Sequence, residues 1–204
     1  MQGLNLAVQP GERVALCAPS GFGKTTLCRI LSGYLSPQTG GVFVDDEPLT
    51  HFKVAPVQLI GQHPELMLDA RLNMEATLKE AGPLRPDLYE ALGIRKAWMR
   101  RYPHELSGGE LQRFCIARAL SVHPRYVVCD EISTMLDAAT QAQLWHFLLE
   151  WCKNEQAGLV FVSHSEALVN RIATRTVNLC RDDDGILWVN EHQKQPAEIS
   201  AGLG

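Results

Sequence analysis

Arg13-Val14-Ala15-Leu16-Cys17-Ala18-Pro19-Ser20-Gly21-Phe22-Gly23-Lys24-Thr25-Thr26 is the stretch that decides the fold. Arg13 to Cys17 reads as a short buried strand. A glycine-rich turn follows, and then Leu27, Ile30, Leu31 and Tyr34 recur at the i, i+3, i+4, i+7 spacing of one helix face. The order strand, loop, helix nearly matches G-x-x-x-x-G-K-[ST], with Ala18 where the first glycine belongs. Gly21 and Gly23 let backbone amides approach phosphate oxygens without a Cβ in the way. The helix N-terminus is directed at the same anion. Lys24 reaches the β- and γ-phosphates, and Thr25 is placed to ligate Mg²⁺. The candidate nucleotide-binding residues are therefore Ser20, Gly21, Phe22, Gly23, Lys24, Thr25 and Thr26. The competing reading is a glycine-rich turn with a helix-capping lysine. The motif specifies a nucleoside triphosphate but not the task.

Outward from this loop, strand-like and helix-like segments alternate. Val42–Val44, Val57–Ile60, Tyr126–Cys129 and Leu159–Val162 are strand candidates. Ala138–Lys153 is a helix with Leu144, Phe147, Leu148 and Trp151 on one face, and Glu166–Ala173 is a short helix. From about 65 to 122 the pattern is mostly helical, broken by Pro83, Pro86 and Pro103. Thr176–Cys180 and Ile186–Val189 flank Asp182-Asp183-Asp184-Gly185 and read as a terminal hairpin with a solvated turn, and the tail after Asn190 as frayed. The expected class is α/β: a mostly parallel sheet covered on both faces, an inserted helical subdomain at about 65–122, and antiparallel strands at the edge, all in one domain.

The 204 residues are 46% apolar and 21% charged with a net charge of −4, which excludes a disordered or fibrous chain. The acidic balance gives no general pull toward nucleic acid. No apolar run approaches about 18 residues, so no bilayer span is read. Met1 to Leu6 show no secretion signal. Six scattered cysteines without a CxxC pair read as buried reduced thiols.

Leu106-Ser107-Gly108-Gly109-Glu110-Leu111-Gln112-Arg113 reads as the start of a helix running to about Leu120. Ser107, Gly108 and Gly109 offer a hydroxyl and free amides, a second anion site or an ordinary N-cap. Asp130-Glu131 ends the apolar run Tyr126–Cys129, at the strand end where parallel sheets hold ligands. One carboxylate suits Mg²⁺ and the next suits activation of a water. His164 likewise ends the strand Leu159–Val162.

Taken together these segments resemble the ATP-binding cassette family, the nucleotide-binding subunits of ABC transporters, over nearly the whole chain and in the family's order. Gln62 in Ile60-Gly61-Gln62-His63-Pro64 looks like the Q-loop, Leu106–Gln112 like the signature motif, and Tyr126–Glu131 like the second Walker motif. Ser133–Asp137 resembles the D-loop, and His164 the switch histidine. The signature segment and Gln141-Ala142-Gln143 look most like the peptide and nickel importer branch. The resemblance implies a P-loop NTPase fold and ATP hydrolysis. Glu131, His164 and Gln62 would be catalytic, and Thr25, Gln62 and Asp130 would hold Mg²⁺. Ser107, Gly108, Gly109 and Asp137 would meet the nucleotide across a dimer of cassettes. It further implies transmembrane permease subunits, an extracytoplasmic substrate-binding protein, a place on the inner face of the membrane, and no nucleic acid.

Departures from the family pattern are Ala18, Ile132 for proline and Met135 for a small residue, the last two at the implied dimer contact. The family's adenine-stacking aromatic lies upstream of Leu4, so no such residue is assigned. Two alternatives stand beside the transporter: a soluble ABC-type ATPase, for which Arg95-Lys96-Ala97-Trp98-Met99-Arg100-Arg101 would meet nucleic acid, and a weakly hydrolysing regulatory cassette.

Overall fold

Five short strands rich in Val, Ile and Leu pair in parallel, and their common direction carries the loops with residues 18–23, Gln62, Asp130–Glu131 and His164 to one edge. In the computed structural model, which describes residues 4–134, 136–181 and 187–193, β1 (Arg13–Cys17), β4 (Val57–Ile60), β5 (Tyr126–Asp130), β6 (Gly158–Val162), β7 (Arg175–Arg181) and β8 (Leu187–Gln193) form one sheet. Its order is β4-β5-β6-β1-β7-β8. All pairs are parallel except β7 with β8, the antiparallel edge. β8 runs on to Gln193, past Asn190 where a frayed tail was expected. Met135, residues 182–186, the first three residues and residues 194–204, on which the rest of the frayed-tail expectation falls, lie outside the described residues.

Both faces of β1, β5 and β6 are buried, as their apolar runs require. Val14, Leu16, Val128, Val160 and Val162 pack on Leu27 and Cys28 of α1 (Lys24–Leu31). The alternate residues Ala15, Val127, Cys129, Leu159 and Phe161 face the other side. There they meet α5 (Gly108–Leu120) and α6 (Ala138–Asn154). A small ribbon, β2 (Phe43–Val44) with β3 (Glu47–Pro48), stands apart from the main sheet. Between β4 and β5 lie α2 (Pro64–Met67), α3 (Met74–Glu80), α4 (Pro86–Ala91) and α5. α7 (Glu166–Ile172) joins β6 to β7.

Tyr34 departs from the periodic reading. Gly33 adopts φ 76, which ends α1, and Tyr34 lies beyond the helix and exposed. Four cysteines are buried and Cys17 and Cys180 half-buried, all six as free thiols. Burial pushes the Cys115 and Cys152 thiols up to about 12.

Candidate nucleotide site

The C-terminal ends of β4, β5, β6 and β1 stand side by side, so the loops that follow them are neighbours. Gln62, Asp130-Glu131, His164 and the loop 18–23 are those loops. This edge is where open parallel sheets bind ligands.

The phosphate loop owes its shape to two glycines. Gly21 and Gly23 have φ 82 and 83, a region costly for any residue with a Cβ. Ala18 is not among the residues with positive φ, so its methyl group is accommodated. Gly23 stands at the N-cap of α1 without a side-chain cap, and no acidic residue occupies the first turn. That helix start is therefore electropositive. Lys24 is buried and folds over the loop, its Nζ donating to Ala18 O at 2.8 Å and Pro19 O at 3.2 Å. Ser20, Thr25 and Thr26 are exposed, and Phe22 is half-buried against the α1 face of the sheet.

Asp130 ends β5 and is 5% exposed. Burial pushes its carboxyl above the ordinary value, while a hydrogen bond from the Thr25 side chain pulls the other way. Glu131 adds to the upward push, and Arg29 and Lys24 oppose it. Glu131 itself has φ 52, a strained conformation for a non-glycine residue. Its carboxylate is held on two sides. Gln62 Nε2 donates to Oε2 at 3.3 Å, and His164 Nε2 lies 2.8 Å from Oε1. Two residues far apart in the chain thus converge on the Glu131 carboxylate.

Ser107 N-caps α5. Its Oγ accepts from Glu110 N at 3.3 Å, and Glu110 Oε2 accepts from Ser107 N at 2.8 Å. This is a capping box, and the Ser-x-x-Glu spacing that signals it stood in the sequence. Gly108 opens on free space, whereas a Cβ on Gly109 would lie 3.2 Å from Leu136 Cδ2. Asp137 caps α6, accepting from the Ala139 and Thr140 amides and the Thr140 hydroxyl. Signature segment and D-loop are therefore in contact, and within the D-loop Thr134 Oγ1 donates to the Glu131 carbonyl at 3.2 Å.

Two features escaped the sequence reading. Ile132, expected at a dimer contact, is 3% exposed within the chain's own core. Its neighbour Ser133 is buried, and its Oγ accepts from Gln141 Nε2 at 2.9 Å and Trp145 Nε1 at 3.1 Å. These bonds tie the loop after Glu131 to α6. No spacing rule connects a serine to partners 8 and 12 residues on.

Residues 1–134 of the chain, which hold the glycine loop, the Asp130–Glu131 pair and the Ser107 helix start, match a family model described as ABC transporter. The chain belongs to the ABC transporter family. The cassette is 37% identical to the glutathione import ATP-binding protein GsiA of Pectobacterium atrosepticum, over 81% of the chain and 30% of that protein. It therefore spans less than a third of GsiA. It is 31% identical to the metal-staphylopine import system ATP-binding protein CntF of Staphylococcus aureus, over 80% of the chain and 72% of that protein. Both relatives are importer subunits by name, in line with the branch the signature segment resembles. The dimeric post-hydrolysis state of the ATP-binding cassette MJ0796, bound to ADP and Pi, superposes with a TM-score of 0.77 at 23% identity, over 93% of the chain and 88% of that one. The fold is that of an ABC ATPase cassette.

Proposed function

We propose that this cassette is the ATP-hydrolysing subunit of an ABC importer for peptide- or nickel-type cargo. It works as one domain, with residues 65–122 as an inserted helical subdomain. It pairs with a second cassette and acts on separate transmembrane permease subunits at the inner face of the membrane. An extracytoplasmic binding protein delivers the cargo, and nucleic acid has no part. Among the described residues no helix is long and apolar enough to cross a membrane, so a pore on other chains suits this reading.

The observation that carries the proposal is the Glu131 carboxylate held between Gln62 and His164 at the sheet edge that bears the phosphate loop. In this reading Lys24 and the amides of residues 20–26 bind the phosphates. Glu131 accepts a proton from the attacking water, and its two side-chain neighbours fix its orientation. His164 turns to the γ-phosphate when nucleotide binds. Phosphoryl transfer needs mostly positioning and charge neutralisation, which such an arrangement supplies. Ser107, Gly108, Gly109 and Asp137 complete the site of the opposite cassette.

Mg²⁺ suits the donor set. Thr25, Asp130 and Gln62 offer hard oxygens, and the buried Asp130 carboxyl, pushed upward by burial, gains from a nearby cation. No cluster of three or more His, Cys, Asp or Glu side chains fit to hold a metal occurs among the described residues. The ion would therefore share its shell with the nucleotide. When bound, it neutralises phosphate charge.

The pairing is tested by gel filtration with ATP in a Glu131→Gln background. A dimer is expected, and Ser107→Arg is expected to abolish it. A Ser107→Arg chain that still dimerises on ATP would remove the signature segment from the partner's site.

A further inference from the structure

α4 and α6 leave a cleft between them that the nucleotide chemistry does not use. It is an open cleft with room for about 400 Å³, within the size range of small-molecule sites. Leu144 and Phe147 of α6 give it an apolar wall. Charges of both signs surround that wall. Glu90 at the end of α4 and Glu150 on α6 bring two exposed carboxylates. Neither carboxylate has an ion-pair partner among the described residues. Arg113 of α5 and His146 of α6 bring the nitrogens.

Arg113 is held in place. Its Nη1 donates to Leu92 O at 2.5 Å. Gly93 adopts φ 66, and a Cβ there would come within 3.2 Å of the same nitrogen. That contact uses one guanidinium nitrogen and leaves donors of the fork for a ligand. A simple anion in this cleft would face two carboxylates, and a simple cation would face the guanidinium. A molecule carrying both charges satisfies both, and an apolar side chain on it covers the α6 wall.

We propose that the cleft binds a small zwitterion, an amino acid or short peptide with free ends, its ammonium against Glu90 and Glu150, its carboxylate against Arg113 and its side chain against Leu144 and Phe147. Arg113 lies about two helical turns along α5 from Ser107. A ligand drawn against it therefore bears on the helix that carries the signature segment.

Isothermal titration of the full chain with leucine and with leucyl-leucine tests this. At least one is expected to bind with a Kd of about 1 mM or tighter. For leucine, the matched probes are N-acetyl-leucine, which lacks the ammonium, and leucinamide, which lacks the carboxylate. For the dipeptide, they are its N-acetyl and C-amide forms. Each matched probe is expected to bind at least about tenfold more weakly. The Glu90→Gln/Glu150→Gln double variant should lose binding by a similar factor while ATP binding stays unchanged. Retained ATP binding shows that the variant is folded and keeps this test separate from that of the nucleotide site. Absence of binding by both zwitterions at about 10 mM overturns the proposal. So does equal binding of the end-blocked probes, or unchanged binding by the double variant.

Discussion

Ser133→Ala isolates the fastening of the loop between Glu131 and Asp137. Ser133 Oγ accepts from Trp145 Nε1 and Gln141 Nε2. The two donors are not equivalent. Trp145 is 3% exposed and packs edge-on against Phe161 with centroids 5.5 Å apart, so its N–H cannot turn to water. Gln141 is half-buried and can. A buried donor left unsatisfied costs about 1–3 kcal/mol, so the loss is taken as about 2 kcal/mol. At about 2–4 °C per kcal/mol for a chain of this size, Tm should fall by about 4–8 °C. Thermal melts and urea unfolding measure it. A double-mutant cycle sharpens the test. In a Trp145→Phe background no indole donor remains, and Ser133→Ala should then cost less than about 0.5 kcal/mol, a coupling of about 1.5 kcal/mol. Equal losses in the two backgrounds would refute the argument, because the serine would then be stabilising through something other than the indole.

Two further outcomes follow from caps and turns. Hydrogen bonds from the Thr140 hydroxyl, then the Thr140 and Ala139 amides, hold the Asp137 carboxyl below the usual carboxylate range. Stability from a lowered carboxylate is present above its unfolded value of about 3.9 and is lost as pH falls through the folded one. Asp137→Ala should therefore melt lower than wild type at pH 7, with the gap closing below about pH 4; a gap unchanged down to pH 3 would count against the cap. Gly21→Ala puts a Cβ where nothing lies within 4 Å, so only the φ of 82 opposes it. A loss of about 1 kcal/mol is expected in unfolding experiments without nucleotide, and an unchanged midpoint would mean that Gly21 is not held left-handed.

Local signals in the sequence were enough to place the strand–loop–helix at residues 13–31 and the start of α5 at Ser107. In both, the glycines and the cap act within a few residues of one another. Tyr34 was misplaced because spacing counts side chains and does not register the backbone turn at Gly33. The convergence of Gln62, Glu131 and His164 follows from sheet order, which no local pattern encodes. The dimer-contact expectation for Ile132 rests on its place between the candidate site residues Glu131 and Asp137, yet its side chain enters the core. The cleft between α4 and α6 is built by three helices whose lining residues carry no common motif.

The most direct test of the central claim is phosphate release from Mg-ATP by wild type and Glu131→Gln, with ATP binding measured on the same samples. Wild type is expected to turn over. The variant should bind ATP as tightly and hydrolyse it at least about 100-fold more slowly, the lower range for loss of a general base. Equal hydrolysis by the two proteins would contradict the assignment of Glu131. Bound ATP without turnover in wild type, even with permease subunits supplied, would contradict the ATPase reading itself.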